Sequence, residues 1–306
     1  MRIASAFYTS ESIRNLMDRQ RQLSETNAQM TSGKRVQKAS DDPADAARAE
    51  RDLAMVKRTE ATLRAVDASR YAMTLTEGAF GDANDLMQEA RDALVALGNG
   101  SYTDSARQTQ VLRLKEARSA LLGIANRQDA GGSYLFGATG TSIAPFTQDA
   151  SGTVVYSAGA GDRKAPSTAD ETLPLTVDGG QAWMMNQTTP DVFAVLQTAI
   201  TALDTPGATT ADVSQAVADG IKGMDLVAES MQSARAVTGE VLNRLDGIES
   251  RLGSVKLTAE TDRSNATDLD MIESLSRFQS QQTGYQAALQ TYASVQRMSL
   301  FQYLNG

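Results

Sequence analysis

Residues 66–97 read VDASRYAMTLTEGAFGDANDLMQEARDALVAL. Val66, Met73, Phe80, Met87 and Leu94 recur every seven residues, and Ser69, Thr76, Ala83, Ala90 and Leu97 follow three residues after each. A seven-residue repeat with filled three-residue steps describes a helix that packs along one seam. Large side chains alternate mostly with small ones, so a partner helix can approach closely. Upstream, Asp41-Asp42-Pro43 is a start signal, with Asp42 as N-cap, Pro43 in the first helical position and Asp45 adding negative charge to the first turn. Downstream, Gly98-Asn99-Gly100 stops it. At about 1.5 Å per residue the helix is roughly 80 Å long, the length of a rod element.

A matching seam lies in the second half. Val217, Met224, Met231, Thr238, Leu245 and Leu252 recur at sevens, with Gly220, Val227, Ala234, Val241, Ile248 and Val255 between them. More than five heptads make a coiled coil. A third helix starts near Thr103-Asp104, carries Val111, Leu114, Ala117, Leu121 and Ile124, and ends near Gly131-Gly132. Residues 133–185 change character: short strand-like runs at Ser133–Phe136, Thr153–Ser157 and Leu173–Val177 are punctuated by Gly159, Gly161, Pro166, Pro174 and Asp178-Gly179. Asp191–Leu203 reads as a short helix closed by Pro206-Gly207, and a polar stretch at Thr258–Thr267 precedes a last helix.

The end helices are weaker. Ile13, Leu16, Gln20, Leu23, Asn27 and Met30 form one stripe before Gly33, and Leu275, Phe278, Gln282, Tyr285, Leu289, Tyr292, Gln296, Leu300 and Tyr303 trace another. Part of each stripe is polar, so neither helix folds alone. The glutamines and the asparagine are either ordinary surface positions or devices that set register between packed helices. The expected fold is mainly α: an elongated rod of long antiparallel coiled-coil helices with a small central β-rich insert. Its domains are 1–40 with 268–306 (terminal helices), 41–132 with 208–267 (coiled-coil core), and 133–207 (insert with one short helix). The core seam is Val66, Met73, Phe80, Met87, Leu94, Met224, Val227, Met231, Val241, Leu245, Ile248 and Leu252. A chain that leaves along a rod and returns along it pairs its two end helices antiparallel, and these order against other copies.

Composition narrows the function. The 306 residues include neither cysteine nor histidine. That removes Ser-His-Asp and Cys-His catalysis, histidine-based metal sites, disulfides and iron–sulfur ligation. Aromatics at 5% are few for a dense compact core. With 29 Lys and Arg against 37 Asp and Glu, the net charge of −8 argues against non-specific nucleic-acid binding. Residues 1–40 hold seven basic and three acidic side chains, so this arm is locally positive. No apolar run is long enough to span a bilayer, and the opening MRIASAFYTSESIRN has no secretory core. Asp41-Asp42 could be a carboxylate pair for a metal, but the proline that follows makes the helix cap the better reading. No catalytic residue, cofactor site or metal site emerges.

Ser32-Gly33-Lys34-Arg35-Val36, with Ala39-Ser40-Asp41-Asp42-Pro43 and Ala46, resembles the N-terminal signature of bacterial flagellins and their hook-associated relatives. Asn243-Arg244-Leu245 with Ile248-Glu249, and the closing Ser299-Leu300-Phe301-Gln302-Tyr303-Leu304, are similar to the family's C-terminal half. Met1-Arg2-Ile3 and the Tyr-Leu ending incline toward the hook-associated branch. The resemblance covers roughly residues 1–140 and 210–306. It implies a non-enzymatic structural subunit of the bacterial flagellum, a junction adapter joining hook to filament, extracellular and exported without a cleaved signal peptide. Implied partners are hook-associated protein 1 on the hook side, flagellin on the filament side, further copies of the chain, and a cytoplasmic export chaperone, with neither nucleic acid nor membrane. The alternatives are flagellin itself, as bulk filament subunit, or a secreted coiled-coil adhesin.

Overall fold

The computed structural model describes residues 2–98, 103–139, 143–157, 164–165, 173–183, 191–205 and 207–304, with side chains from 10 to 297 except at 104 and 165. The helices are α1 (Arg2–Ser32), α2 (Pro43–Leu97), α3 (Asp104–Ala125), α4 (Gly179–Ala182), α5 (Val192–Asp204), α6 (Thr210–Thr267) and α7 (Met271–Leu304). Between α3 and α4 lie β1 (Phe146–Gln148), β2 (Val154–Tyr156), β3 (Lys164–Ala165) and β4 (Leu173–Pro174). β1 pairs antiparallel with β2 and β3 with β4, with Thr147 opposite Val155 and Lys164 opposite Pro174. The fold is mainly helical with small antiparallel sheets, as its sequence pattern predicts. By internal contacts the chain divides into two compact units, residues 1–59 with 254–306, and residues 60–253.

Within the 60–253 unit, the heptad positions Val66, Met73, Phe80, Met87 and Leu94 of α2 are buried, as are Met224, Val227, Met231, Leu245 and Ile248 of α6. Val241 and Leu252 are half-buried against the same core. Ion pairs fix the relative direction of these helices: Arg70 meets Asp246 and Glu249, Glu77 meets Arg235, and Arg91 meets Asp225. Rising numbers on α2 face falling numbers on α6, so the pair is antiparallel. Each exposed pair is worth little, and together they set register.

The few aromatic residues are concentrated rather than spread. Phe80 of α2 lies 5.2 Å from Phe136; Phe136 meets Trp183 edge-on at 5.6 Å; Trp183 stacks on Phe193 at 5.9 Å. Phe146 joins Trp183, Phe193 and Tyr156. The insert thus shares one core with the long helices of its unit. Arg118 of α3 is 8% exposed and donates through Nε to the Phe193 carbonyl and through Nη2 to the Gly152 carbonyl. Burial lowers its pKa. One side chain thereby ties α5 and the β1–β2 turn to α3. Gly179 is required by close approach, since a Cβ there would stand 2.7 Å from the Phe136 carbonyl oxygen.

Three local expectations change. Ser133–Phe136 is not a strand: only the Gln128–Tyr134 bridge forms, and the chain turns at Gly137 while burying the adjacent Leu135 and Phe136 together. Two consecutive inward side chains contradict strand alternation. α3 ends at Ala125 rather than at the glycines, because the Asn126 side chain leaves the helix to bond the Phe146 backbone, donating at 2.8 Å and accepting at 3.0 Å. The polar stretch 258–267 does not break the helix: α6 runs through it, its threonines bonding carbonyls one turn back. Asn99-Gly100 and residues 159–161 lie outside the described residues.

Candidate assembly site

The signature loop between α1 and α2 is where the two ends of the chain are knit. Gly33 stops α1 in the left-handed region at φ +68°, which suits glycine. Its carbonyl accepts from the Leu269 amide at 3.0 Å. Lys34 forms an antiparallel bridge with Asp268, and the Arg35 and Val36 amides both donate to the Thr267 carbonyl, at 2.8 and 3.3 Å. The Arg35 guanidinium donates to the Ala266 carbonyl at 2.8 Å, to Asp42 at 3.4 Å and to Asp45. These charge-assisted bonds, that to Asp45 foremost, raise its pKa. Val36 and Ala266 are buried at the centre.

The two aspartates of the signature do different work. Asp42 accepts from the Ala44 and Asp45 amides at 3.0 and 3.1 Å, capping α2, and its carboxyl is held below the usual range first by the Asp45 amide. Asp41 accepts from the Lys38 and Gln37 amides at 2.9 and 3.0 Å and closes the loop; these bonds, Lys38 first, lower its pKa. Ser40 donates to Asp41 at 3.5 Å, and the Gln37 amide group reaches Ser32 Oγ at 2.6 Å. On the other side Ser264 and Thr267 hydroxyls donate to Asp268, and Ser264 is the main reason its pKa is lowered. Asp270 then caps α7 through the Ile272 and Glu273 amides.

Beyond the joint α1 and α7 run antiparallel. Thr26 donates to Gln281 at 2.8 Å, and Arg19 approaches Gly284 so closely that a Cβ would stand 2.9 Å from Nη1. Leu16, Leu23, Met30, Phe278, Tyr285, Tyr292 and Gln296 are half-buried, whereas Ile13, Gln20, Asn27, Leu275, Gln282 and Leu289 are exposed. Leu300 and Tyr303 belong to α7, but their side chains are not among those described. Among the described residues the buried positions of this pair are Thr26 and Ser274, which an apolar stripe passes over. Their signal is spacing: Thr26 sits three residues after Leu23 and Ser274 four before Phe278, the alternate positions of a heptad. Met17, Ile272 and Val295 stay 60%, 86% and 54% exposed. Among the described residues no group of three carboxylates could hold a metal, and no helix is long and apolar enough to cross a membrane.

Long seamed helices in both halves and an antiparallel pair of terminal helices define a mainly helical fold. Residues 3–141 match the bacterial flagellin N-terminal helical region and residues 221–304 the bacterial flagellin C-terminal helical region. The chain belongs to the flagellin family. Over its length it is similar to flagellar hook-associated protein 3 of Escherichia coli K12, 27% identical over 319 residues that cover 99% of each chain. In structure it is similar to FlgL of Xanthomonas campestris (TM-score 0.61, 18% identity, 71% of this chain and 99% of that one). The flagellar junction protein FlgL of Legionella pneumophila is also similar (TM-score 0.55, 14% identity, 63% and 97%). At these identities the structural likeness concerns the fold. The relatives are structural proteins of the bacterial flagellum, an extracellular appendage.

Proposed function

We propose that this chain is the junction subunit that joins the flagellar hook to the filament. The observation that carries the reading is the whole-length similarity to hook-associated protein 3, which takes in both terminal helices and the insert. Its neighbours are hook-associated protein 1 on the hook side, flagellin on the filament side and copies of itself in the same layer. It reaches them through the flagellar export channel, accompanied in the cytoplasm by a chaperone. Residues 1–40 and 268–306 form the inner tube, 41–132 and 208–267 the wall, and 133–207 faces outward.

The mechanism is coupled folding and assembly. Ordering about 40 residues at each end costs on the order of 1–2 kcal/mol per residue in backbone entropy. The α1–α7 pair offsets only part of that, because Thr26 and Ser274 are its sole buried positions among those described. Ile13, Met17, Leu275 and Leu289 present apolar surface that neighbouring subunits cover. Two measurements test this. The full chain restores motility to a strain lacking its own junction protein, and a chain without residues 268–306 does not. Purified protein added to filament seeds stops at one short layer. Long fibres would identify a bulk flagellin, and rescue by the truncated chain would remove the assembly role of the terminal pair.

A further inference from the structure

Between α2 and α3, inside the 60–253 unit, lies a groove of about 690 Å³. Its floor is alanine, with Ala90, Ala93 and Ala117 buried. Its rim carries Glu89, Asp92 and Glu116 against Arg113, a net charge of −2. Among the described residues Glu89, Glu116 and Arg113 make no ion pair, while Asp92 accepts from Gln88 at 3.0 Å. Gln110 also lines the groove, is 9% exposed, and its Oε1 is sealed from solvent without a donor. A buried amide oxygen left unpaired is costly, and burial against a second chain can supply the missing donor.

We propose that this groove is a docking site for a second copy of the chain, occupied by the face Arg51–Met55–Arg58 of that copy's α2. These residues stand at i, i+4 and i+7, so they share one helix face about 10 Å long, and all three are exposed, Met55 at 43%. Glu89, Ala93 and Ala96 have the same spacing on the receiving helix. The thioether of Met55 packs on the alanine floor. The arginine stems lie along its walls while the guanidinium groups meet Glu89, Asp92 and Glu116, and one N–H reaches Gln110 Oε1 once the amide turns toward it.

Charge complementarity favours a copy over another protein. Residues 1–59 with 254–306 hold 15 basic and 13 acidic side chains, net +2, and residues 60–253 hold 14 and 24, net −10. Each copy therefore carries both halves of the contact. Because groove and knob are different surfaces, the contact is head-to-tail and propagates from copy to copy, as a layer requires. The inference rests on the junction reading.

Charge reversal in the full chain tests it. Glu89→Arg with Glu116→Arg, and separately Arg51→Glu with Arg58→Glu, each lower incorporation into isolated hook–filament joints by about tenfold or more. All four changes in one chain restore it. Gln110→Leu lowers incorporation while the thermal midpoint of the monomer holds or rises. Met55→Glu, at an exposed position, replaces the arginine pair if that pair melts the monomer. Reversed pairs that assemble like the unaltered chain would overturn the proposal. So would a four-fold variant that folds but is not rescued, or a reversal that blocks only flagellin addition while copies still join. Failure of the unaltered chain to restore motility would instead overturn the junction reading.

Discussion

Arg35 donates at once to Ala266, Asp42 and Asp45, so one side chain links the signature loop, the start of α2 and the end of α6. Replacing it by methionine keeps the stem and removes every donor. Because the side chain is 41% exposed, the loss is reduced by solvent to about 1 kcal/mol. The expected result is a roughly fivefold faster exchange of the Val36 and Leu269 amides, with the Trp183 environment unchanged. The joint also carries an acid limit. Asp41, Asp42 and Asp268 have carboxyl pKa values lowered in the folded chain, by the Lys38 amide, the Asp45 amide and the Ser264 hydroxyl respectively. A lowered folded pKa contributes stability that is fully present above the unfolded value, near 4, and is lost as pH falls through the folded value. With no histidine in the chain, proteolysis in the 33–42 loop should be flat from pH 5 to 8 and rise below about pH 4. A rise centred near pH 6 would contradict this.

At the scale of elements, α6 offers a paired comparison. At Gly223 an added Cβ would stand 2.7 Å from both γ carbons of Val195 on α5, whereas at Gly239 nothing lies within 4 Å. Gly239→Ala should therefore stabilise by up to about 1 kcal/mol through helix propensity. Gly223→Ala gains the same propensity but overpacks α5, and should be net destabilising by about 1–2 kcal/mol. Thermal melts of the two variants check the opposite signs. The same contrast explains what is legible in a sequence. Val66 and Phe80 announce burial by their period, and Asp42-Pro43 announces a helix start by local chemistry. The glycines near 131 predict a longer α3, because the tertiary bond from Asn126 to Phe146 that ends it leaves no local trace. Polarity at 258–267 predicts a break, although threonines in a helix can satisfy themselves on carbonyls one turn back.

For the molecule as a whole, the single tryptophan is a reporter of one unit. Trp183 is fully buried among Phe136, Phe146 and Phe193, all within residues 60–253. Its emission should be blue-shifted, and removal of residues 268–306 should leave both the emission maximum and its thermal midpoint unchanged. A red shift on truncation would show that the unit depends on the last helix. Helical content, the heptad seams, the start of α2, the absence of cysteine and histidine chemistry, and the family resemblance all follow from the sequence by itself, because each is a local or periodic property. Tertiary structure alone decided that residues 33–36 pair with 267–269, that Arg35 reaches a carbonyl 231 positions away, and that Arg118 clasps the insert through two carbonyls. Such pairings join residues whose separation in sequence has no period. They are selected only when the packed helices bring the donors and acceptors within reach.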